Sequence, residues 1–291
     1  MKRSILGVLL VLTFVAVGIA AAPPLTFTFS DVHANKTATE TDSYGVNNFG
    51  TIAGDFIDSS GIQHGMLLGK KTVFATLDYS KCSSVIAVYA VNNHCTAVGW
   101  CTGTSGSPIA FTWSKGKFTD IGFPNATATE ATGINDSGDV VGLYLDSASV
   151  QHGFVKKGSK YTSVDVPGDT SADAYGINNA GDIAIYAFTS AGDYDSYLYN
   201  GTTFKSIKDP NAGALGTVVH APNNKGDIAG TYFDSNNFAV GFLYHGGKYY
   251  DVKDPKASNS TRNDGLNDSL EMVGRYTPTA GGNFGFKATT K

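Results

Sequence analysis

One motif recurs six times along the chain, and its spacing limits the possible folds more than anything else in the sequence. The segments GVNNFGTIAG (45–54), AVNNHCTAVG (90–99), GINDSGDVVG (133–142), GINNAGDIAI (176–185), APNNKGDIAG (221–230) and GLNDSLEMVG (265–274) align without gaps. Their first asparagines, Asn47, Asn92, Asn135, Asn178, Asn223 and Asn267, are separated by 45, 43, 43, 45 and 44 residues. A period this regular means that each repeat is one structural unit burying its apolar face on its neighbours.

Each motif reads as a hairpin turn. Asn at the first turn position hydrogen-bonds the backbone ahead of it, and Gly three residues later accepts the left-handed conformation of a type I turn with a G1 bulge. Cys95 and Leu270 replace that Gly in the second and sixth copies, so those two turns are expected to be strained or differently shaped. After the turn come strands such as Asp139 to Asp146, His152 to Lys157 and Lys160 to Val166, and one strand precedes the Asn, making four per repeat. The chain has 35 Gly, 12% aromatic residues and only 16% charged residues, which suits strands joined by tight turns rather than helices.

Four strands in about 44 residues, six times over, is the arithmetic of a six-bladed β-propeller, with a solenoid as the alternative. The chain ends decide between them. The sixth repeat stops at Lys291 without the outermost strand that the others carry, for example YTSVDVPG (161–168). An orphan strand of that type, TFTFSDV (26–32), stands ahead of the first repeat. An array one strand short at one end and one strand long at the other closes on itself, and closure removes exposed sheet edges. The residue two before each Asn is Gly45, Ala90, Gly133, Gly176, Ala221 or Gly265, as expected where inner strands crowd around an axis.

The recurring G-I-N-N-x-G-D-I-A/V-G segment, an H-A/G-F-like tripeptide and a D-x-P-G ending together resemble the His-Ala-Phe (HAF) extracellular repeat family. The tripeptide reads His64-Gly65-Met66, Ile109-Ala110-Phe111, His152-Gly153-Phe154, Asp195-Ser196-Tyr197, Val240-Gly241-Phe242 and Phe284-Gly285-Phe286. The resemblance spans nearly all of the chain after residue 22 and implies export and repetition, with no established chemistry to transfer. It leaves His64 and His152 as structural residues bonding a neighbouring turn.

The first residues read as an address. Lys2 and Arg3 precede an apolar run from Ile5 to Ala22 that ends in three alanines, the order of a secretory signal peptide over residues 1–22. Pro23 hinders cleavage just before it, which favours a cut after Ala20 or Ala21 and leaves residues 23–291 as one propeller. The run also approaches the length that spans a bilayer, so an uncleaved anchor is the competing reading. No later segment is long and apolar enough to cross. The protein is expected to be secreted, periplasmic or on the cell surface.

Without Lys2 and Arg3 the balance is 25 acidic to 19 basic residues, with Arg262 and Arg275 the only arginines. Phosphate binding needs a clustered basic face, so nucleic acid is not an expected partner. A monomer is expected. Outside the cytosol cysteines pair. Cys82 and Cys101 lie at one end of the hairpin around Asn92 and Cys95 at its turn, so the expected bridge is Cys82–Cys101 with Cys95 free.

Reactive signatures are lacking: there is no G-x-S-x-G elbow, H-E-x-x-H, phosphate loop or paired C-x-x-C. Histidines 33, 64, 94, 152, 220 and 245 have no ligand spacing, so no metal and no cofactor are expected. Asn135 to Asp139 resembles a fragment of a calcium loop, but its recurrence makes it a hairpin turn first.

One pattern is not explained by the repeat. Eleven residues after the Asn, odd repeats carry Asp58, Asp146 and Asp234 and even ones Gly103, Thr189 and Pro278; two residues earlier the odd repeats have Phe56, Tyr144 and Tyr232. Counting from the turn puts Asp42 opposite Phe56 and Glu130 opposite Tyr144, with Asp173 and Arg262 at the same inner-strand position in repeats four and six. Acids and aromatics are thus expected on one rim near the axis, a surface suited to sugar hydroxyls and sugar faces. The plainer reading of Asp58-Ser59, Asp146-Ser147 and Asp234-Ser235 is a turn in which Asp caps the backbone. The function that follows is a binding module for a glycan or another surface polymer. The alternatives are an extracellular carbohydrate hydrolase or lyase using rim carboxylates, and a structural envelope protein.

Overall fold

The computed structural model describes residues 25–69 and 73–290, so the leader read over residues 1–22 lies outside the described residues. The described residues form 24 strands and no helix. Strand β1 (Phe27–Val32) comes first. Blade 1 is β2 (Glu40–Val46), β3 (Ile52–Ile57), β4 (Gln63–Leu68) and β5 (Val73–Leu77); blade 2 is β6 (Cys82–Val91), β7 (Ala97–Gly103), β8 (Pro108–Ser114) and β9 (Lys117–Ile121). Blade 3 is β10 (Ala128–Ile134), β11 (Val140–Leu145), β12 (Gln151–Lys157) and β13 (Lys160–Val164); blade 4 is β14 (Ser171–Ile177), β15 (Ile183–Phe188), β16 (Tyr194–Tyr199) and β17 (Phe204–Ser206). Blade 5 is β18 (Thr217–Pro222), β19 (Ile228–Phe233), β20 (Ala239–His245) and β21 (Lys248–Val252), and blade 6 contributes β22 (Ser260–Leu266), β23 (Met272–Thr277) and β24 (Phe284–Thr290).

The missing fourth strand of blade 6 is β1, antiparallel to β24 from Phe27 opposite Thr290 to Val32 opposite Gly285. The propeller is therefore closed by its N-terminal strand. The core is six clusters, each packed between two adjacent blades. Phe111, Phe154, Phe242 and Phe286, the last residues of four tripeptides, are fully buried there. The middle residue of the tripeptide is small because the next blade crosses it: a Cβ on Gly65 would stand 2.7 Å from Val88 Cγ2. Crowding at the axis is just as direct, since a Cβ on Gly265 would lie 2.7 Å from the Tyr44 carbonyl oxygen.

All six hairpin turns have one shape. Cys95 and Leu270 take the left-handed conformation, each with φ of 57°, and keep the hydrogen bonds of the glycine copies. The strain expected of these two turns is confined to a backbone region that costs an L-residue about 1–2 kcal/mol, and the shape does not change.

The pairing of inner and second strands differs from the count made from the turns. Each inner strand has a register shift two to four residues before its Asn, as between Ser43 and Gly45 or Ala131 and Gly133. The extra residues are Tyr44, Tyr89, Thr132, Tyr175, His220 and Asp264. A bulge puts two residues opposite one and displaces every pair beyond it. Asp42 consequently faces Asp55, not Phe56, and Glu130 faces Leu143, not Tyr144.

Cys82 and Cys101 form a disulfide with Cα atoms 5.7 Å apart, and Cys95 is free and exposed. Cys101 occupies the column that holds Phe56, Tyr144, Tyr232 and Tyr276 in other blades, so the bridge takes the place of an aromatic ring between blades 1 and 2. Replacing both bridged cysteines by Ala should lower stability by roughly 3 kcal/mol, the size expected for a loop of this length. Urea unfolding of the variant against the oxidised parent tests this, while alkylation of the native protein should label Cys95 alone.

Candidate functional site

The two ends of the propeller axis differ in how their polar groups are satisfied. At the turn end, the Oδ1 atom of each first Asn accepts backbone N–H groups of its own turn, two at Asn47 (from Phe49 and Thr51), Asn92, Asn223 and Asn267 and one at Asn135 and Asn178. Its Nδ2 donates to the carbonyl of the corresponding Asn in the next blade, at 3.0 to 3.2 Å, and Asn267 returns to Asn47 so that the ring is complete. A second ring runs outside it: the backbone N–H of Asn48, Asn93, Asp136, Asn179, Asn224 and Asp268 each donates to the next side chain at 2.8 to 2.9 Å. Partial burial opposes ionisation of Asp136, but the amides of Asn179 and Asn93 outweigh it and hold its carboxyl below the usual range. No asparagine of this collar is left with a buried unpartnered side-chain atom, so the collar is joinery between blades. Beneath it runs a narrow axial channel of about 110 Å³.

The other end of the axis is built from three columns of residues. Five before the Asn stand Asp42, Ala87, Glu130, Asp173, Val218 and Arg262. Three before it are the bulged residues, and eight after it are Asp55, Trp100, Leu143, Tyr186, Thr231 and Arg275. Several polar atoms here are buried without partners, among them one oxygen each of Asp42, Asp55, Asp173 and Asp264, and Trp100 Nε1. Unpartnered buried polar atoms are costly, and each calls for an explanation such as an ion, a water or a ligand.

Charge divides this end into two halves. In the half formed by blades 6 and 1, Arg275 donates to Tyr44 Oη at 3.1 Å and lies 3.7 Å from Asp42 and 3.8 Å from Asp264. Its guanidinium sits 5.1 Å from the Tyr44 ring centre. Burial opposes the Arg275 charge, but Asp264, Tyr44 and Asp42 more than restore it. Asp55, one strand away, is pushed up to about 7 by burial and by Asp42. His220 is driven down by burial, against the pull of Asp264.

The half formed by blades 3 and 4 holds acids and rings. A cup of about 350 Å³ is lined there by Glu130, Asp173, Tyr89, Tyr175, Tyr186 and Tyr194. Asp173 is 4% exposed; its Oδ2 accepts the Tyr186 hydroxyl at 2.6 Å and its Oδ1 has no partner. Burial and then Asp173 push Glu130 up to about 7, and burial pushes Asp173 up to about 6 against the Tyr186 hydrogen bond. The rings run in contact from axis to rim: Tyr89 to Tyr175 at 5.8 Å, Tyr175 to Tyr186 at 6.2 Å, Tyr186 to Tyr194 at 5.9 Å and Tyr194 to Phe188 at 4.3 Å between centres.

These raised carboxyls set a pH dependence. A carboxyl with a higher pKa in the folded state holds its proton after the unfolded chain has lost its own, so stability falls as pH rises from about 4 to about 7. Glu130→Gln removes one such ionisation and should recover up to about 3 kcal/mol at pH 8 while changing little at pH 4. Chemical denaturation at both pH values measures the difference, and an equal effect at the two would refute it.

The residues expected on one rim separate into two places. Asp42, Glu130 and Asp173 border the axis, while Arg262 lies across from Arg275 on blade 6. Phe56, Tyr144 and Tyr232 are 6%, 8% and 3% exposed and pack in the clusters between blades. Their faces are already covered, as by Phe123 stacked on Tyr144 at 3.7 Å. Asp58, Asp146 and Asp234 each cap their own turn with Oδ1, for example to Ser60 and Ile62. His64 links two acids, with Asp78 at 2.8 Å and Asp58 at 3.4 Å, and His152 links Asp165 and Asp146 at 3.0 and 3.5 Å. The odd-repeat pairing thus builds stacked Phe56–His64 and Tyr144–His152 units rather than an open surface.

Sequence reasoning missed Tyr89, Tyr175, Tyr186, Asp55 and Arg275. The available signal was the column three before the Asn, which is polar or aromatic in all six copies although its neighbour is always small.

No protein-family model matches the chain, and no curated protein sequence matches it. Among solved structures it is similar to the AofleA protein of Arthrobotrys oligospora, with a TM-score of 0.55, 13% identity and coverage of 90% of this chain and 86% of that one. It is also similar to the Aleuria aurantia lectin in complex with Fucα1-6GlcNAc, with a TM-score of 0.54, 12% identity and coverage of 88% and 96%. A further structure of that lectin, described as a six-bladed β-propeller with a novel fucose recognition mode, gives a TM-score of 0.52 at 12% identity over 84% and 89%. At these identities the likeness concerns the fold: this chain is a six-bladed β-propeller.

Proposed function

We propose that the protein is an exported glycan-binding module whose binding site is the cup between blades 3 and 4. The observation that carries this reading is the row of tyrosines beside Glu130 and Asp173, with one Asp173 oxygen left unpartnered at the wall. Rings stack on the apolar faces of sugars, and carboxylates accept their hydroxyls. The leader-like N-terminus and the disulfide support export. Propellers of similar shape that bind fucosides make fucosylated glycans the first probes.

The test is a glycan array on the mature protein, repeated with Tyr186→Ala. Binding that weakens at least about tenfold in the variant without loss of fold supports the site, as removing one stacking ring costs on the order of 1–1.5 kcal/mol. Binding that survives unchanged, or an array without hits, overturns it.

A second reading has its own support. Glu130, pushed up to about 7, and Asp173, pushed up to about 6, can stand one protonated and one ionised near neutrality, as an acid and a base in polysaccharide cleavage must. Release of reducing ends from a polysaccharide panel, abolished by Glu130→Gln, distinguishes catalysis from binding.

A further inference from the structure

The cup contains two acids and no cation. On the opposite side of the axis the protein supplies Arg275 to Asp42 and Asp264. Glu130 and Asp173 stand on the inner strands of neighbouring blades, and among the described residues neither makes a salt bridge to Lys, Arg or His within 4.0 Å. The rest of the lining is uncharged and includes Tyr89, Tyr175, Tyr186 and Tyr194. Asp173 presents an oxygen that is buried and without a hydrogen-bond partner. Buried carboxylates need a positive partner or a proton, and aromatic faces favour a cation over a neutral group of the same shape.

We propose that the cup between blades 3 and 4 receives the ammonium group of an organic ligand, with Glu130 and Asp173 as counter-ions and the tyrosines as an aromatic cage. The ligand completes on this side what Arg275 completes on the other. An amine with N–H donors pairs with the two carboxylates that line the cup, and a methylated ammonium is held by the rings and the two charges together. In the first form the ligand is a sugar bearing a free amino group, which rests on the glycan-binding reading above. In the second it is a quaternary ammonium headgroup, which does not. Without a ligand Glu130, pushed up to about 7, keeps a proton part of the time at neutrality, while Asp173, pushed up to about 6, is mostly ionised. Binding a cation should therefore release protons.

Titration calorimetry on the mature protein at pH 6.5, where the amino sugar is still largely protonated, uses two pairs of probes, each a cation with its neutral counterpart. Choline is compared with 3,3-dimethyl-1-butanol, and the tetramer of glucosamine with the tetramer of N-acetylglucosamine. At least one cation should bind about tenfold or more tightly than its neutral partner, since a desolvated cation–aromatic contact and a charge-assisted hydrogen bond each exceed that factor. Glu130→Gln and Asp173→Asn should each reduce that preference by about tenfold. If Asp173→Asn fails to fold, Glu130→Gln, on a less buried group, carries the test alone. Preference for the amino sugar supports both readings, and preference for choline alone keeps the ammonium site while removing the glycan. Equal binding of cation and neutral counterpart, no binding of either cation, or a preference untouched by Glu130→Gln overturns the proposal. Binding of neutral glycans that Glu130→Gln leaves intact would do so without touching the glycan reading.

Discussion

Deleting residues 23–33 is expected to lower the melting temperature by more than about 10 °C, because it removes the strand that makes the ring continuous. The loss has three parts. Phe29 packs its ring 5.6 Å from that of Phe286, and Val32 is buried in the cluster between blades 6 and 1. Each large apolar side chain of this kind contributes about 1.5–3 kcal/mol when fully covered. Asp31 accepts the hydroxyl of Tyr276 at 3.2 Å. Finally, the outer edge of β24 becomes bare, exposing a row of unpaired backbone groups next to the fully buried Phe286 and Ala288. A loss of some 4–6 kcal/mol at about 2–4 °C per kcal/mol gives the stated shift. Moving the same strand to the C-terminus by circular permutation should restore the melt to within a few degrees, because β1 is already antiparallel to β24 and a hairpin can join them as in the other blades. A deletion that melts like the parent would show that the ring does not depend on this strand.

The period, the four strands and the closure were legible in the sequence because each follows from a count that side-chain detail does not disturb. A repeat of about 44 residues leaves room for four strands, and an extra strand at one end with a missing one at the other has a single resolution. The axial cup was not legible, for a reason that is equally specific. No glycine or proline marks the bulged residue, which is Tyr in three copies and Thr, His or Asp in the rest. The strands were therefore paired one residue out of step, and a one-residue slip moves every side chain to the other face. Phe56 and Tyr144 were placed at the axis, when Asp55 and Leu143 stand there. The cysteine pair survived the same slip because both partners lie at one end of the hairpin, where Cys82 is opposite Gly103 and Cys101 opposite Ile86.

The inner Asn of the collar was read as a turn residue, and half of its work lies in the neighbouring blade. Asp forms this kind of turn as well as Asn does, yet all six copies have Asn there while the following position mixes Asn and Asp. What Asp lacks is the amide donor. Asn223 shows what depends on it: Oδ1 accepts from Lys225 and Asp227 at 2.9 Å, and Nδ2 donates to the Asp227 carboxylate at 2.9 Å and the Asn267 carbonyl at 3.2 Å. The residue is 3% exposed, so water cannot replace these bonds. Asn223→Ala should therefore cost about 3–5 kcal/mol, since several buried groups lose their partners at about 1–3 kcal/mol each. Asn223→Asp separates the two roles. It keeps the turn acceptors but sets a carboxylate against Asp227 and against a carbonyl, and should lose about 2–4 kcal/mol at neutral pH, partly regained in acid. Asn224→Ala, in the exposed outer ring, should lose about 1 kcal/mol or less. Urea unfolding of the three variants orders them. If Asn223→Asp is as stable as the parent while Asn223→Ala is not, the residue acts through its turn alone and the ring of amides does not hold the blades together.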